Sequence, residues 1–105
     1  MKFKVVFAPE ARDDLNELYD YISKHSGPER AMTYIERIEK ACMSLQTLPN
    51  RGTLREDLRP GLRVTGFERR ALIAFRVSPK SVAILRILYG GRSVKRAFRH
   101  STDED

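Results

Sequence analysis

Cysteine is all but missing from this sequence: Cys42 stands alone among 105 residues. One thiol builds neither a disulfide framework nor a zinc cluster within a chain. Cys42 falls on the apolar stripe of an expected helix, so it reads as a buried structural thiol. Long apolar runs are lacking too, and nothing approaches the ~20 residues that a membrane-spanning helix needs. The first residues, Met1-Lys2-Phe3-Lys4-Val5-Val6-Phe7, alternate like a strand and lack the apolar segment and cleavage site of a signal peptide. The chain is therefore expected in the cytoplasm, away from membranes. There is no internal repeat, low-complexity linker, P-loop, Ser-His-Asp or Cys-His pattern. No cofactor and no metal is expected.

What is abundant is positive charge, and its distribution says more than its total. The net charge is +6. Residues 8–48 carry five Lys/Arg against eight Asp/Glu, whereas residues 49–100 carry thirteen against three. Lys2 and Lys4 add to the positive side, and Asp103-Glu104-Asp105 subtract from it. The two halves thus face solvent with opposite signs. A basic half of that strength points to an anionic partner, either a nucleic acid or an acidic protein.

The length suits one domain, residues 1–105, burying roughly 65% of its unfolded surface and leaving little room for a deep substrate cavity. Residues 2–7 predict a strand, with Phe3, Val5 and Phe7 on one face. Pro9 suits the first position of a helix. Ala11, Leu15, Leu18 and Ile22 then repeat at helical spacing, with Glu10, Asp13 and Asp14 in the turn that the helix dipole favours for acids. Gly27-Pro28 closes that helix and opens a second, from about Glu29 to Leu48. Its apolar face is Ala31, Tyr34, Ile35, Ile38, Ala41, Cys42, Leu45 and Leu48. So short a connection predicts an αα-hairpin. Residues 51–61 read as a loop. Three strands follow, Leu62 to Phe67, Arg70 to Val77 and Val82 to Tyr89, the last two joined by a turn at Ser78-Pro79-Lys80-Ser81. Residues 93–105 form a C-terminal tail, or a short helix from Val94 to His100. Helices before strands imply an α+β fold: an N-terminal strand, a helical hairpin, and a three-stranded antiparallel meander completing a small sheet.

Strand alternation gives the basic residues a direction. Ala71, Ile73, Phe75 and Val77 share one face, as do Ala83, Leu85, Ile87 and Tyr89. Setting these apolar rows under the hairpin leaves Arg63, Arg70, Arg76 and Arg86 on an open face. Arg51, Arg55, Arg59, Arg92, Lys95, Arg96 and Arg99 would rim it. Arginine far outnumbers lysine here, and guanidinium is the group that grips phosphate or carboxylate with two parallel hydrogen bonds. The expected partner-binding basic face is Arg63, Arg70, Arg76, Arg86 and Arg92.

These residues also carry a family likeness. Arg70-Ala71-Leu72-Ile73-Ala74-Phe75-Arg76-Val77, the turn, and Val82-Ala83-Ile84-Leu85-Arg86-Ile87-Leu88-Tyr89-Gly90-Gly91-Arg92 resemble the closing hairpin of ParE-type toxins. Those end in a pattern close to I-L-R-[VI]-L-[HY]-G-x-R. Phe7-Ala8-Pro9-Glu10-Ala11 and the acidic helix after it are similar to that family's first helix, and Leu48-Pro49-Asn50-Arg51-Gly52 to its exit from the second. The likeness covers about residues 3–92. It implies the RelE-like fold of the ParE/RelE toxins of type II toxin–antitoxin systems, with a ParD-like antitoxin wrapping the toxin in a hetero-oligomer. ParE-like toxins poison DNA gyrase, whereas RelE-like relatives cut messenger RNA on the ribosome.

A metal-free ribonuclease needs a base, an acid and cations for the developing phosphorane charge. Arginines supply the cations. RelE-like nucleases commonly place a Tyr or His shortly after the glycine-arginine segment, which here is Arg96-Ala97-Phe98-Arg99-His100. Phe98 stands where that tyrosine is expected, and phenylalanine cannot transfer a proton. A nuclease would have to use Arg86, Arg92 and His100. His25 suits the C-terminal end of the first helix and needs no further role, and Glu56, Asp57 and Glu68 sit among arginines as ion-pair partners. The expected function is therefore a non-enzymatic ParE-like gyrase poison. A ribosome-dependent endoribonuclease is the alternative, and a basic nucleic-acid-binding module the third reading.

Overall fold

A computed structural model describes the backbone of residues 2–103 and the side chains of residues 2–98. The chain runs β1 (Lys4–Phe7), α1 (Pro9–Ser26), α2 (Pro28–Met43), a 3₁₀ turn (Ser44–Gln46), β2 (Thr53–Leu54), β3 (Leu62–Phe67), β4 (Ala71–Val77), β5 (Ser81–Tyr89) and α3 (Val94–Asp103). The five strands form one sheet in the order β1-β5-β4-β3-β2. The β2–β5 pairs are antiparallel, and β1 lies parallel to β5. Among the described residues, no helix is long and apolar enough to cross a membrane.

The helical hairpin turns on one residue. Gly27, at φ 94°, follows the last residue of α1, where its N–H donates to the Ser23 carbonyl (3.0 Å). The same glycine caps α2, its carbonyl accepting from the Ala31 N–H (3.1 Å), with Pro28 in the first turn. A left-handed φ costs glycine little, which is why a one-residue connection works here. Both helices then press their stripes on the sheet. Leu15, Leu18, Tyr34, Ile35, Ile38 and Cys42 bury against Ile73, Phe75, Val82, Ile84 and Ile87.

The other side of the sheet is covered as well. Val94 and Phe98 of α3 pack on Leu62, Ala74 and Leu88, closing a second apolar cluster. The open face that alternation predicts is therefore partly sealed by the C-terminal helix. Alternation also fails inside β5, where Ala74 pairs with Arg86 but Phe75 pairs with Ile84. Leu85 is the extra residue of a bulge, and a bulge flips the parity of everything on one side of it. Val82 and Ile84 consequently join Ile87 beneath the hairpin and Leu85 turns to the α3 side, so the expected rows are reversed before the bulge, while Ile87 and Tyr89 keep the expected side.

Two further details depart from the sequence reading. The second helix stops at Met43, and the remaining turn to Leu48 is partly 3₁₀. The loop at 51–61 contains the short edge strand β2, whose approach to β3 depends on Gly52. A Cβ there would overlap the Val64 carbonyl oxygen.

Candidate functional site: an arginine cleft beside the last helix

The bulge in β5 sets up the site. β1 ends opposite Ile84, so the following residues of β5 have no strand along that edge. Asp14 of α1 takes the strand's place. Its Oδ2 accepts the Ile87 N–H (2.8 Å) and the Arg86 Nε–H (2.7 Å), and its Oδ1 accepts from Arg86 Nη2 (3.0 Å). The Asp14 side chain is only 5% exposed and that of Arg86 27%. A bidentate carboxylate fixes the planar guanidinium in position. Hydrogen bonding to Asp14 holds the Arg86 guanidinium above its ordinary pKa.

Beyond Tyr89, Gly90 and Gly91 turn the chain with φ of 69° and 82°. Ser93 opens α3, its Oγ accepting the Arg96 N–H (3.2 Å) and its carbonyl the Ala97 N–H (3.0 Å). Arg86, Leu88, Arg92, Ser93, Arg96 and Ala97 together line a cleft of about 310 Å³. Arg92 is exposed and lies 4.0 Å from Glu17, too long and too solvated to neutralise it. Three guanidinium groups thus converge where the amides of a helix start, an arrangement suited to an anionic group.

The arginines assigned to one face by alternation do not share one. Arg86 and Arg92 meet in this cleft. Arg76 pairs across the sheet with Leu62 and so stands on the α3 side. Arg63 pairs with Phe75, which places it on the hairpin side. Arg70 lies in the turn before β4 and lines a different cavity, with Tyr34 and Glu68. Arg76 and Arg86 thus keep the expected side, while Arg63 and Arg70 leave it because Phe67 and Phe75 must lie beneath the helices.

Asp14 was the functional residue hardest to see. It falls three residues after Ala11 and four before Leu18, within the buried stripe. A carboxylate there is a signal that a cation or a backbone edge must meet it.

The proton-transfer candidates among the described side chains are otherwise engaged. Phe98 is 3% exposed in the second core cluster, and His100 lies outside the residues whose side chains are described. His25 bonds through Nδ1 with the Tyr21 carbonyl (2.8 Å) and stacks on the Tyr21 ring. Tyr89 packs edge-on against Tyr34. Glu68 pairs with Arg37, Asp57 with Arg55, and Glu56 accepts the Gly61 N–H. Cys42 is fully buried, and burial pushes its thiol up to about 12. Among the described residues, no group of three His, Cys, Asp or Glu side chains is placed to hold a metal ion.

Residues 5–94 match the model of a family described as the ParE toxin of the type II toxin–antitoxin system parDE. The chain is 31% identical over 87 residues to toxin ParE3 of Caulobacter vibrioides, covering 83% of this chain and 86% of that protein. A solved chain of a chromosomal ParDE TA system from P. aeruginosa superposes with a TM-score of 0.74 at 31% identity, covering 85% of this chain and 97% of the other.

Proposed function

The chain belongs to the ParE toxin family of type II toxin–antitoxin systems, and on that premise we propose that it arrests growth by poisoning DNA gyrase in the cytoplasm. A ParD-like antitoxin neutralises it by binding in a toxin–antitoxin hetero-oligomer. The observation that carries this reading is the Arg86–Arg92–Arg96 cleft, which has cations to hold an anionic surface and no described side chain able to move a proton. Phe98 supports the same conclusion, because it serves the core.

The cleft is the proposed partner contact, with Arg76 on the same side of the sheet. Arg63 and Arg70 lie apart from it and would meet a partner only if it wrapped round the sheet. The charge split helps any such partner arrive, since complementary fields chiefly raise association rates. The test adds purified protein to gyrase with supercoiled plasmid, and separately to translating ribosomes with a reporter message. Accumulation of cleaved gyrase–DNA complexes supports the poison. Codon-positioned cuts in the message with gyrase unaffected would establish the endoribonuclease instead.

A further inference from the structure

A second and larger cavity, about 690 Å³, opens between the hairpin and the β3–β4 turn, apart from the arginine cleft. Its walls are aromatic. Tyr34 meets Tyr89 edge-on at 5.9 Å, and Tyr21 stands 6.1 Å from Tyr89. Its polar end is formed by Arg37, Glu68 and Arg70. Arg37 donates twice to Glu68, at 2.9 Å each, while its guanidinium lies 5.2 Å from the centre of the Tyr34 ring. Arg70 makes no side-chain hydrogen bond or ion pair among the described residues.

Tyr34 is the anomaly. The residue is 8% exposed, and its hydroxyl is out of solvent contact with no hydrogen-bond partner among the described residues. A buried hydroxyl normally finds a partner, and leaving one without costs about 1–3 kcal/mol. Glu68 and Arg69 of the adjacent turn lie at φ 49° and 61°, the left-handed region that tight hairpins favour. An unpartnered donor and two guanidinium groups, one of them already holding a carboxylate, meet at one cavity.

We propose that this cavity binds a carboxylate joined to an apolar or aromatic body. The incoming carboxylate takes the place of the Glu68 side chain on Arg37 and reaches Arg70, and with Glu68 moved aside it accepts the Tyr34 hydroxyl hydrogen bond, a group that the closed arrangement keeps from solvent. The apolar body rests on the Tyr21 and Tyr89 rings. Glu29 and Glu68 stand beside Arg30, Arg37 and Arg70 in the same lining, so the surplus of positive charge is small, which suits one carboxylate better than a polyphosphate backbone. The carboxylate has two sources, a free small acid or an acidic side chain on a partner polypeptide.

The probe is 3-phenylpropionate, titrated into the full chain and followed by amide NMR shifts, with neutral 3-phenylpropanamide as its control. The acid binds and the amide binds about tenfold more weakly, the scale of one charge-assisted contact. Tyr34→Phe lowers affinity for the acid about tenfold without lowering Tm, since it removes a hydroxyl that had no partner. Glu68→Gln removes the internal competitor and tightens binding. Equal binding of acid and amide overturns the proposal. So does an affinity unchanged in Tyr34→Phe, which would mean that the hydroxyl holds only a water. A capped Leu-Glu-Phe peptide separates the sources: tighter binding than phenylpropionate assigns a partner's side chain, and equal or weaker binding assigns a small acid. Binding of neither overturns the site.

Discussion

At the scale of single residues, Asp14 holds more together than any other charged group. It closes the edge of β5 where β1 runs out and anchors the inner arginine of the cleft. Asp14→Asn keeps an acceptor for the Ile87 N–H but leaves the half-buried Arg86 only the more distant charges of Glu10 and Glu17. Breaking a buried pair from one side costs about 3–5 kcal/mol, so urea denaturation should show a loss near the lower end of that range, because Arg86 retains some exposure. The double replacement Asp14→Asn with Arg86→Met should recover much of it. Cys42 makes a second prediction. Its folded pKa is raised from 9.0 to about 12 by burial, so the stability tied to the neutral thiol is complete below pH 9. That contribution erodes as pH climbs from 9.0 toward about 12, where the unfolded chain releases the proton and the folded one retains it. A thiol reagent at pH 8 should therefore label the protein only after denaturant is added; rapid labelling of the native chain would contradict the burial.

At the scale of elements, the limits of each strand and helix are legible where local chemistry sets them. Pro9 and Gly27-Pro28 mark the helix boundaries, and β3 falls on the very residues that alternation indicates. Facing is legible only where a strand is regular. In β4 the row Ile73, Phe75 and Val77 lies under the helices as expected. In β5 the extra residue Leu85 reverses the rows before it and leaves Ile87 and Tyr89 where they were expected, and nothing in Val82-Ala83-Ile84-Leu85-Arg86 announces it, because both faces are almost equally apolar. The candidate site shares that history. Arg86 and Arg92 were readable as a pair, but the inward carboxylate of Asp14 and the covering of the far face by α3 depend on contacts 72 or more residues apart in the first case and on tertiary packing in the second. The β3–β4 turn yields an element-scale prediction. Both of its central residues adopt the left-handed region that two-residue hairpins prefer to fill with Asn-Gly. Arg69→Gly relieves one left-handed side chain and should raise stability by about 0.5–1 kcal/mol, the gain being offset in part by glycine's greater freedom in the unfolded chain. Thermal melts read this directly, and a lower Tm would mean that Arg69 makes contacts beyond its backbone.

At the scale of the whole molecule, the fold turns a composition bias into two layers of opposite sign. The acidic hairpin lies on one side of the sheet, and the basic strands, loops and last helix supply the rest. Part of that bias is spent internally: Arg86 answers Asp14 and Arg37 answers Glu68. Of what remains open, Arg92 and Arg96 stand beside the start of α3. Those two residues carry no core packing, so reversing their charge tests function without testing the fold. The most direct measurement compares the native chain with the Arg92→Glu, Arg96→Glu variant in a gyrase cleavage reaction on supercoiled plasmid, with circular dichroism confirming that both are folded. The account predicts that the native chain accumulates cleaved complexes and that the variant, equally folded, loses at least about tenfold in potency, as expected when two charge-assisted contacts become repulsive. Equal potency of the two proteins, or cleavage of message with gyrase untouched, would contradict it.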